Sequence, residues 1–196
     1  MKKVILSMMV TLDGYGTGPN DAMDWLPPFD NEALWKDLHA DMWKNLRKVD
    51  TLLLGRVTYQ IWEKYWPAAG ANPASCENDR DFSKYAEETQ KIVFSRTLDK
   101  VEWKNTRLVT CSIVDEIAKL KEQPGKDIAL VGGPGIARTF MSRGLVDDYH
   151  LLVSPVVLGG GKPLFAGVEG RLKLRLIDSK VYKSGIVELH YEPARV

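Results

Sequence analysis

The chain has 196 residues, 44% hydrophobic and 27% charged, with a formal net charge of +1. Such a composition fits one soluble globular domain with a sizeable core. It leaves no strong field for nucleic acid or an anionic membrane surface, and no apolar run approaches the ~20 residues of a membrane-spanning helix.

Lys2-Lys3 and the apolar stretch after them end in Asp13 without a small-residue cleavage site, so Val4 to Leu12 reads as a first strand, buried on both faces. Thr11 to Asp24 holds three glycines and a proline and reads as a long loop, either a surface connection or an active-site lid. Trp25-Leu-Pro27-Pro28-Phe-Asp30 follows, and Asp30 can cap the next helix. Leu34, Trp35, Leu38, Met42, Trp43 and Leu46 recur at helical spacing over residues 31–47. The tryptophans there read as core.

Thr51 to Gly55 is a short buried strand, and Arg56 to Trp66 a helix that Pro67 is expected to end. Arg56 stands in the first turn, where a cation opposes the helix dipole. Either it points to solvent or an anion lies there against the amides, Arg56 and Thr58. Residues 67–80 read as loop and Asp81 to Thr89 as helix. Lys91 to Arg96 and Arg107 to Thr110 are strands. Ile113 to Leu120 is a helix capped by Ser112, with Asp115 three residues on, and Pro124-Gly125 stops it.

Asp127 to Met141 holds the strongest local signal. An apolar run, Ile128 to Val131, turns through Gly132 and Gly133 into a helix with Ile136, Phe140 and Met141 on one face. Strand, glycine turn and helix start make a natural anion cradle, although the same glycines also serve plain packing. Val146 to Pro155, Leu172 to Tyr182 and Ile186 to Glu192 read as strands. In the last two, apolar and polar residues alternate as in half-exposed antiparallel strands, joined by a turn at Lys183-Ser184-Gly185. Gly159-Gly160-Gly161 is either a turn or a loop against a ligand, with Lys162 available for a phosphate. The pattern is βαβα followed by an antiparallel end. It predicts a three-layer α/β/α domain with a mixed, mostly parallel sheet.

Two cysteines, Cys76 and Cys111, make no disulfide framework and read as reduced thiols, with the cytoplasm the expected compartment. His39 and His190 read as solvent-facing and His150 as structural. No His, Cys and carboxylate set shows metal-ligand spacing, so no metal is expected. No serine sits in a nucleophile elbow.

Five motifs in order carry a resemblance: Thr11-Leu-Asp13-Gly14, Trp25 to Asp30, Gly55-Arg56-Val-Thr58-Tyr59, Ile92-Val-Phe-Ser95-Arg96 and Gly132-Gly133-Pro-Gly135. Together they resemble the dihydrofolate reductase fold over nearly the whole chain. Val10 to Gly14 and Pro155 to Gly161 are closer to the C-terminal reductase domain of the bifunctional riboflavin-biosynthesis deaminase-reductase. The resemblance implies a sheet of about eight strands with NADPH bound across the carboxyl ends of the parallel ones. Gly55, Arg56 and Thr58 would hold phosphates. Ser95 and Arg96 would take the 2′-phosphate, and Gly132, Gly133, Gly135, Ile136 and Ala137 would lie along the pyrophosphate and nicotinamide. The two glycines are expected to share a cis peptide. Trp25 and Asp30 would meet the substrate, with Asp30 as its acid. Asp13, the second catalytic candidate beside Asp30, would close over the nicotinamide with Gly14 and the loop to residue 24. Gly159, Gly160 and Lys162 would face substrate.

The implied activity is hydride transfer to a small heterocycle such as a ribosylamino-pyrimidine. Dihydrofolate reduction and a non-catalytic nucleotide- or pterin-binding protein of the same fold are the alternatives. A homodimer through the C-terminal strands is also implied.

Overall fold

The computed structural model describes residues 1–26, 32–168 and 170–194. Along it run β1 (Val4–Thr11), β2 (Tyr15–Thr17), α1 (Glu32–Leu46), β3 (Val49–Gly55), α2 (Arg56–Ala71), α3 (Glu77–Glu88), β4 (Gln90–Phe94) and β5 (Thr106–Val109). Then come α4 (Ile113–Glu122), β6 (Asp127–Val131), α5 (Pro134–Met141), β7 (Asp148–Ser154), β8 (Lys162–Pro163), β9 (Leu174–Val181) and β10 (Val187–Pro193). Eight strands form one sheet in the order β5-β4-β3-β6-β1-β7-β10-β9. Neighbours from β5 to β7 pair in parallel. β7 to β10 and β10 to β9 pair antiparallel. This is the mixed three-layer architecture expected from the βαβα pattern.

The period of two along each strand divides the core. Val4, Leu6, Met8 and Val10 of β1, with Leu53, Ile92, Ile128 and Leu130, meet Ile117 and Leu120 of α4 and Ala137, Phe140 and Met141 of α5. Alternate residues point the other way. Leu54 and Val93 meet Tyr59 of α2 and Phe82 and Ala86 of α3, with Met42, Trp43 and Leu46 of α1 packed on them. Trp35 and Leu38 of α1 pack with Tyr182 and Ile186 and cover Met9 and Leu152. Each such side chain contributes roughly 1.5–3 kcal/mol on burial. Trp43, Trp62 and Trp66 gather around Phe82 in edge-on or tilted pairs, and Trp35 and Trp43 of α1 are core as expected.

Four expectations need correction. Pro67 does not end α2, which runs on to Ala71. Pro67 is exposed, so water can satisfy the carbonyl that its missing N–H leaves, and Ser83 Oγ ties the turn to α3 by donating to the Trp66 carbonyl at 2.7 Å. The helix expected from Asp81 begins at Glu77, with Glu77 and Asp79 in its first turn. No peptide bond among the described residues is cis, so Gly132 and Gly133 are joined in trans. Finally, β9 does not bury one face. It is the sheet edge, and Leu176, Ile177 and Val181 are exposed, Val181 by 73%.

Lys91 lies fully buried on β4 beneath α3. Its ammonium donates to the carbonyls of Ala86 and Thr89 at the end of that helix and sits 4.3 Å from the Trp103 ring centroid. Burial pulls its pKa down to about 8. Unfolded Lys91 keeps its proton to about pH 10.4. Between those values the unfolded chain binds more protons, so stability rises with pH there. Measured by urea unfolding against Lys91→Met, the difference is expected to shift toward wild type by about 2–3 kcal/mol between pH 8 and pH 10.5. A flat difference would mean that the ammonium stays charged in its cage.

Candidate active site

Because β4, β3, β6, β1 and β7 are adjacent and parallel, their carboxyl ends open on one edge. That edge carries Ser95 and Arg96 after β4, Gly55, Arg56 and Thr58 at the β3–α2 junction, and Gly132 and Gly133 after β6. Thr11 and Asp13 stand at the end of β1, and Ser154 ends β7. Connections leave β3 toward β4 and β5, and the chain returns as β6 between β3 and β1. Crevices for ligands form where strand order reverses in this way.

The glycines make the junctions touch. A Cβ on Gly132, whose φ is +152°, would lie 3.0 Å from Thr58 Oγ1 and 3.1 Å from Ile136 Cγ2. One on Gly55 would lie 3.4 Å from Ile136 Cβ. The starts of α2 and α5 therefore face each other. A Cβ on Gly133 or Gly135 would meet nothing within 4 Å, so the backbone there is open to a ligand.

Neither α2 nor α5 has a side-chain cap or an acid in its first turn. By contrast α4 is capped by Ser112 Oγ, which accepts from the Asp115 amide at 3.3 Å, and carries Asp115 and Glu116. α3 carries Glu77 and Asp79. The helices that begin at the crevice thus keep their positive ends uncompensated, the condition that favours an anion. Arg56 is exposed, its guanidinium donating to Gln60 Oε1 at 3.0 Å. Arg96 is exposed and has no ion pair among the described residues. Ser95 Oγ accepts from the Thr97 and Leu98 amides, each at 3.1 Å, and lies 3.4 Å from Thr97 Oγ1, where either hydroxyl can donate. The set fits the phosphates of a dinucleotide.

Over the crevice lies a ribbon. β2 pairs with β8, Tyr15 with Pro163 and Thr17 with Lys162. The Asp13 carboxylate accepts from the Gly159 amide at 2.8 Å, the Leu158 amide at 3.1 Å and the Thr11 hydroxyl at 2.6 Å. The Thr11 bond first, then the Gly159 amide, holds its pKa below the ordinary value. Asp13 is therefore an ionised anchor for the ribbon. Gly14, at φ +82°, accepts from the Leu164 amide at 2.8 Å. A Cβ on Gly16 would lie 2.6 Å from Pro134 Cγ, so the ribbon packs on the start of α5. Gly159 and Gly160 border open space. Lys162, half-exposed, pairs with Asp21 at 2.6 Å.

Trp25 is 8% exposed, and its indole nitrogen has no hydrogen-bond partner among the described residues. Asp30 lies outside the described residues. Ser154, wholly buried beside Thr11, also keeps an unpartnered hydroxyl. Sequence reasoning passed over Ser154 and the Thr11 clamp. The signal was a polar residue at the end of an otherwise apolar strand, next to Pro155. His190, expected at the solvent face, meets Asp148 and His150 on the α1 face of the sheet.

Residues 2–188 match the family model described as the RibD C-terminal domain. The chain is 35% identical over 190 residues to the uncharacterised protein YyaP of Bacillus subtilis, covering 97% of this chain and 94% of that one. Among solved structures, one from Shewanella sp. PV-4, provisionally described as a riboflavin biosynthesis protein, superposes with a TM-score of 0.71 at 24% identity over the whole of both chains. A deaminase/5-amino-6-(5-phosphoribosylamino)uracil reductase of Thermotoga maritima gives 0.65 at 18% identity, covering 98% of this chain and 57% of that one. A dihydrofolate reductase of Enterococcus faecalis, complexed with NADP(H), gives 0.60 at 14% identity over 98% of this chain and 97% of that one. These structures share the fold.

Proposed function

The chain belongs to the RibD C-terminal domain family, and from that membership we propose that it is an NADPH-dependent reductase acting on a small heterocycle of ribosylamino-pyrimidine type. The observation that carries the reading is the crevice edge itself. Two uncapped helix starts, open glycine backbone and two exposed arginines stand side by side at adjacent strand ends.

Bound NADPH would supply the hydride. Gly133 and Gly135 admit the pyrophosphate, whose charge the helix starts, Arg56 and Thr58 offset. Arg96 and the Ser95 hydroxyl take the 2′-phosphate, a dianion suited to a guanidinium fork. Ile136 and Ala137 lie along the rest of the cofactor. The ribbon, held by Asp13 with Gly14, Gly159 and Gly160 at its bends, keeps water out. Trp25 Nε1 and Ser154 Oγ are buried donors without partners, and a polar substrate would satisfy them. Asp30 is the acid we assign to orient the substrate and to give the proton, directly or through water.

Among the described residues no helix is long and apolar enough to cross a membrane. The proposed setting is the cytoplasm. The exposed apolar side chains of edge strand β9 support a homodimer through that strand. Light scattering would then give twice 22.1 kDa, and a single-chain mass would dismiss the dimer.

NADPH titrated into the protein is expected to quench tryptophan fluorescence saturably by energy transfer. No binding at millimolar cofactor would end the reductase reading. Oxidation of NADPH with the phosphoribosylamino-uracil but not dihydrofolate would fix the substrate class. Binding without turnover of either would favour a non-catalytic nucleotide-binding protein.

A further inference from the structure

β7 and β10 bring together a second cluster, at the other end of the sheet from the crevice. His150 and His190 are directly paired in register, and Asp148 stands two residues before His150, on the same face. The two imidazoles are stacked, with centroids 4.2 Å apart and planes at 18°. His190 Nε2 bonds to Asp148 Oδ1, and His150 Nε2 lies 3.9 Å from that same oxygen. Both ring nitrogens therefore converge on one carboxylate oxygen. The three ligand atoms lie within 4.8 Å of one another.

Two further atoms of these groups, His150 Nδ1 and Asp148 Oδ2, are engaged elsewhere. His150 Nδ1 is 2.8 Å from Glu188 Oε1. A carboxylate oxygen accepts, so His150 carries on Nδ1 the proton it donates there, and Nε2 is the nitrogen on the Asp148 side. The other Glu188 oxygen accepts from the Tyr182 hydroxyl, which also reaches Asp41 at 3.1 Å. Asp148 Oδ2 accepts from Lys3 Nζ at 3.4 Å, leaving Oδ1 to the rings. Lys3 divides its charge with Glu192, 3.1 Å away, and Glu192 is also paired with Arg175. Counting Asp148, Glu188 and Glu192 against Lys3 and Arg175 leaves one net negative charge.

We propose that Asp148, His150 and His190 form a site for a zinc-type divalent cation, bound through Asp148 Oδ1 and the two Nε2 atoms. Imidazole with carboxylate is a donor set that such ions favour. Around a tetrahedral ion with bonds of about 2.1 Å the donors stand about 3.4 Å apart. The present Nε2 to Oδ1 separations, one hydrogen-bonded and one of 3.9 Å, bracket that value; binding also needs His190 to carry its proton on Nδ1 and the two rings, now stacked at 18°, to tilt until both Nε2 lone pairs meet the ion. Glu188 behind His150 supplies the carboxylate–histidine–metal relay that fixes the ring and raises its basicity. The histidine side chains are 17% and 25% exposed, and Ser7, paired with His150 on β1, is exposed as well. An ion and a fourth, water ligand can therefore enter. Asp148 is six residues from Ser154, or roughly 20 Å along the strand. The ion would staple the last parallel strand to the first antiparallel one and would take no part in hydride transfer.

The test uses the full chain with Cys76→Ser and Cys111→Ser, since both thiols are exposed and would bind metal themselves. After chelator treatment it is titrated with zinc by calorimetry and with cobalt(II) by absorption. One saturable zinc per chain, a raised Tm and a cobalt spectrum without thiolate charge transfer are expected. His150→Ala and His190→Ala are each expected to weaken zinc binding at least 100-fold. Glu188→Gln removes no ligand and is expected to weaken it about 10- to 100-fold. The circular dichroism and NADPH affinity of each metal-free variant check that it is folded. Absent saturation at about 100 μM zinc, or affinity unchanged by either histidine substitution in a folded variant, would overturn the site.

Discussion

Arg96→Ala is expected to weaken NADPH binding about 100-fold and NADH binding by less than threefold. Charge-assisted bonds to a phosphate contribute roughly 1.5–3 kcal/mol each, and the two cofactors differ only in the 2′-phosphate assigned to Arg96. Gly55 pairs with Phe94, so Arg96 stands just beyond the start of α2. Arg56, in the first turn of that helix, is assigned to phosphates common to both cofactors. Arg56→Ala should therefore weaken NADPH and NADH alike, and the double variant should lose about a thousandfold for NADPH. Arg96 has no ion pair among the described residues, so its removal should change stability by no more than about 0.5 kcal/mol. An unchanged Tm beside lost binding would separate recognition from unfolding. Equal loss for both cofactors, or none for either, would refute the 2′-phosphate assignment.

How legible these features were in the sequence depended on how local their causes are. β6, the glycine turn and α5 were readable because an apolar run, two glycines and a helical stripe all fall within 15 residues. α4 was readable through its Ser112 cap. Pro67 misled because a proline's cost depends on whether its face is wet, which only the packing of α2 on α3 decides. The alternation in β9 was real, but a periodic strand says nothing about whether another layer covers it. At the site, Gly55, Thr58 and Gly132 were identified from junction patterns, and the structure brings them into contact. The Lys162 ion pair was not legible because its partner, Asp21, lies 141 residues away in sequence. The Asp148, His150 and His190 cluster was invisible for the same reason. Asp148-x-His150 marks one strand face, but His190 joins it only through the β7–β10 register. Asp30 stays an expectation, outside the described residues.

Gly161→Ala tests whether the ribbon is needed for turnover, and kcat/KM is expected to fall about 100-fold. Gly161 sits at φ +124°, and an added Cβ would lie 2.1 Å from the Thr17 carbonyl oxygen and 2.9 Å from Gly18 Cα. Those atoms are backbone and cannot swing aside as a side chain would. Unfavourable φ and the clash each cost about 1–3 kcal/mol. The cheapest relief is local: the Thr17–Lys162 pairing parts and the ribbon lifts from Pro134, while the eight-stranded core stays folded. Hydrogen exchange should then show lost protection at the Leu158, Gly159 and Leu164 amides, bonded to Asp13 and Gly14 in the closed ribbon, and little change in β3 or β6. NADPH affinity should fall only a few-fold if the phosphates sit at α2 and α5, as proposed. If Gly161→Ala turned over as fast as the unsubstituted chain with the ribbon open, the ribbon would be a packing feature, and water exclusion would have to come from elsewhere.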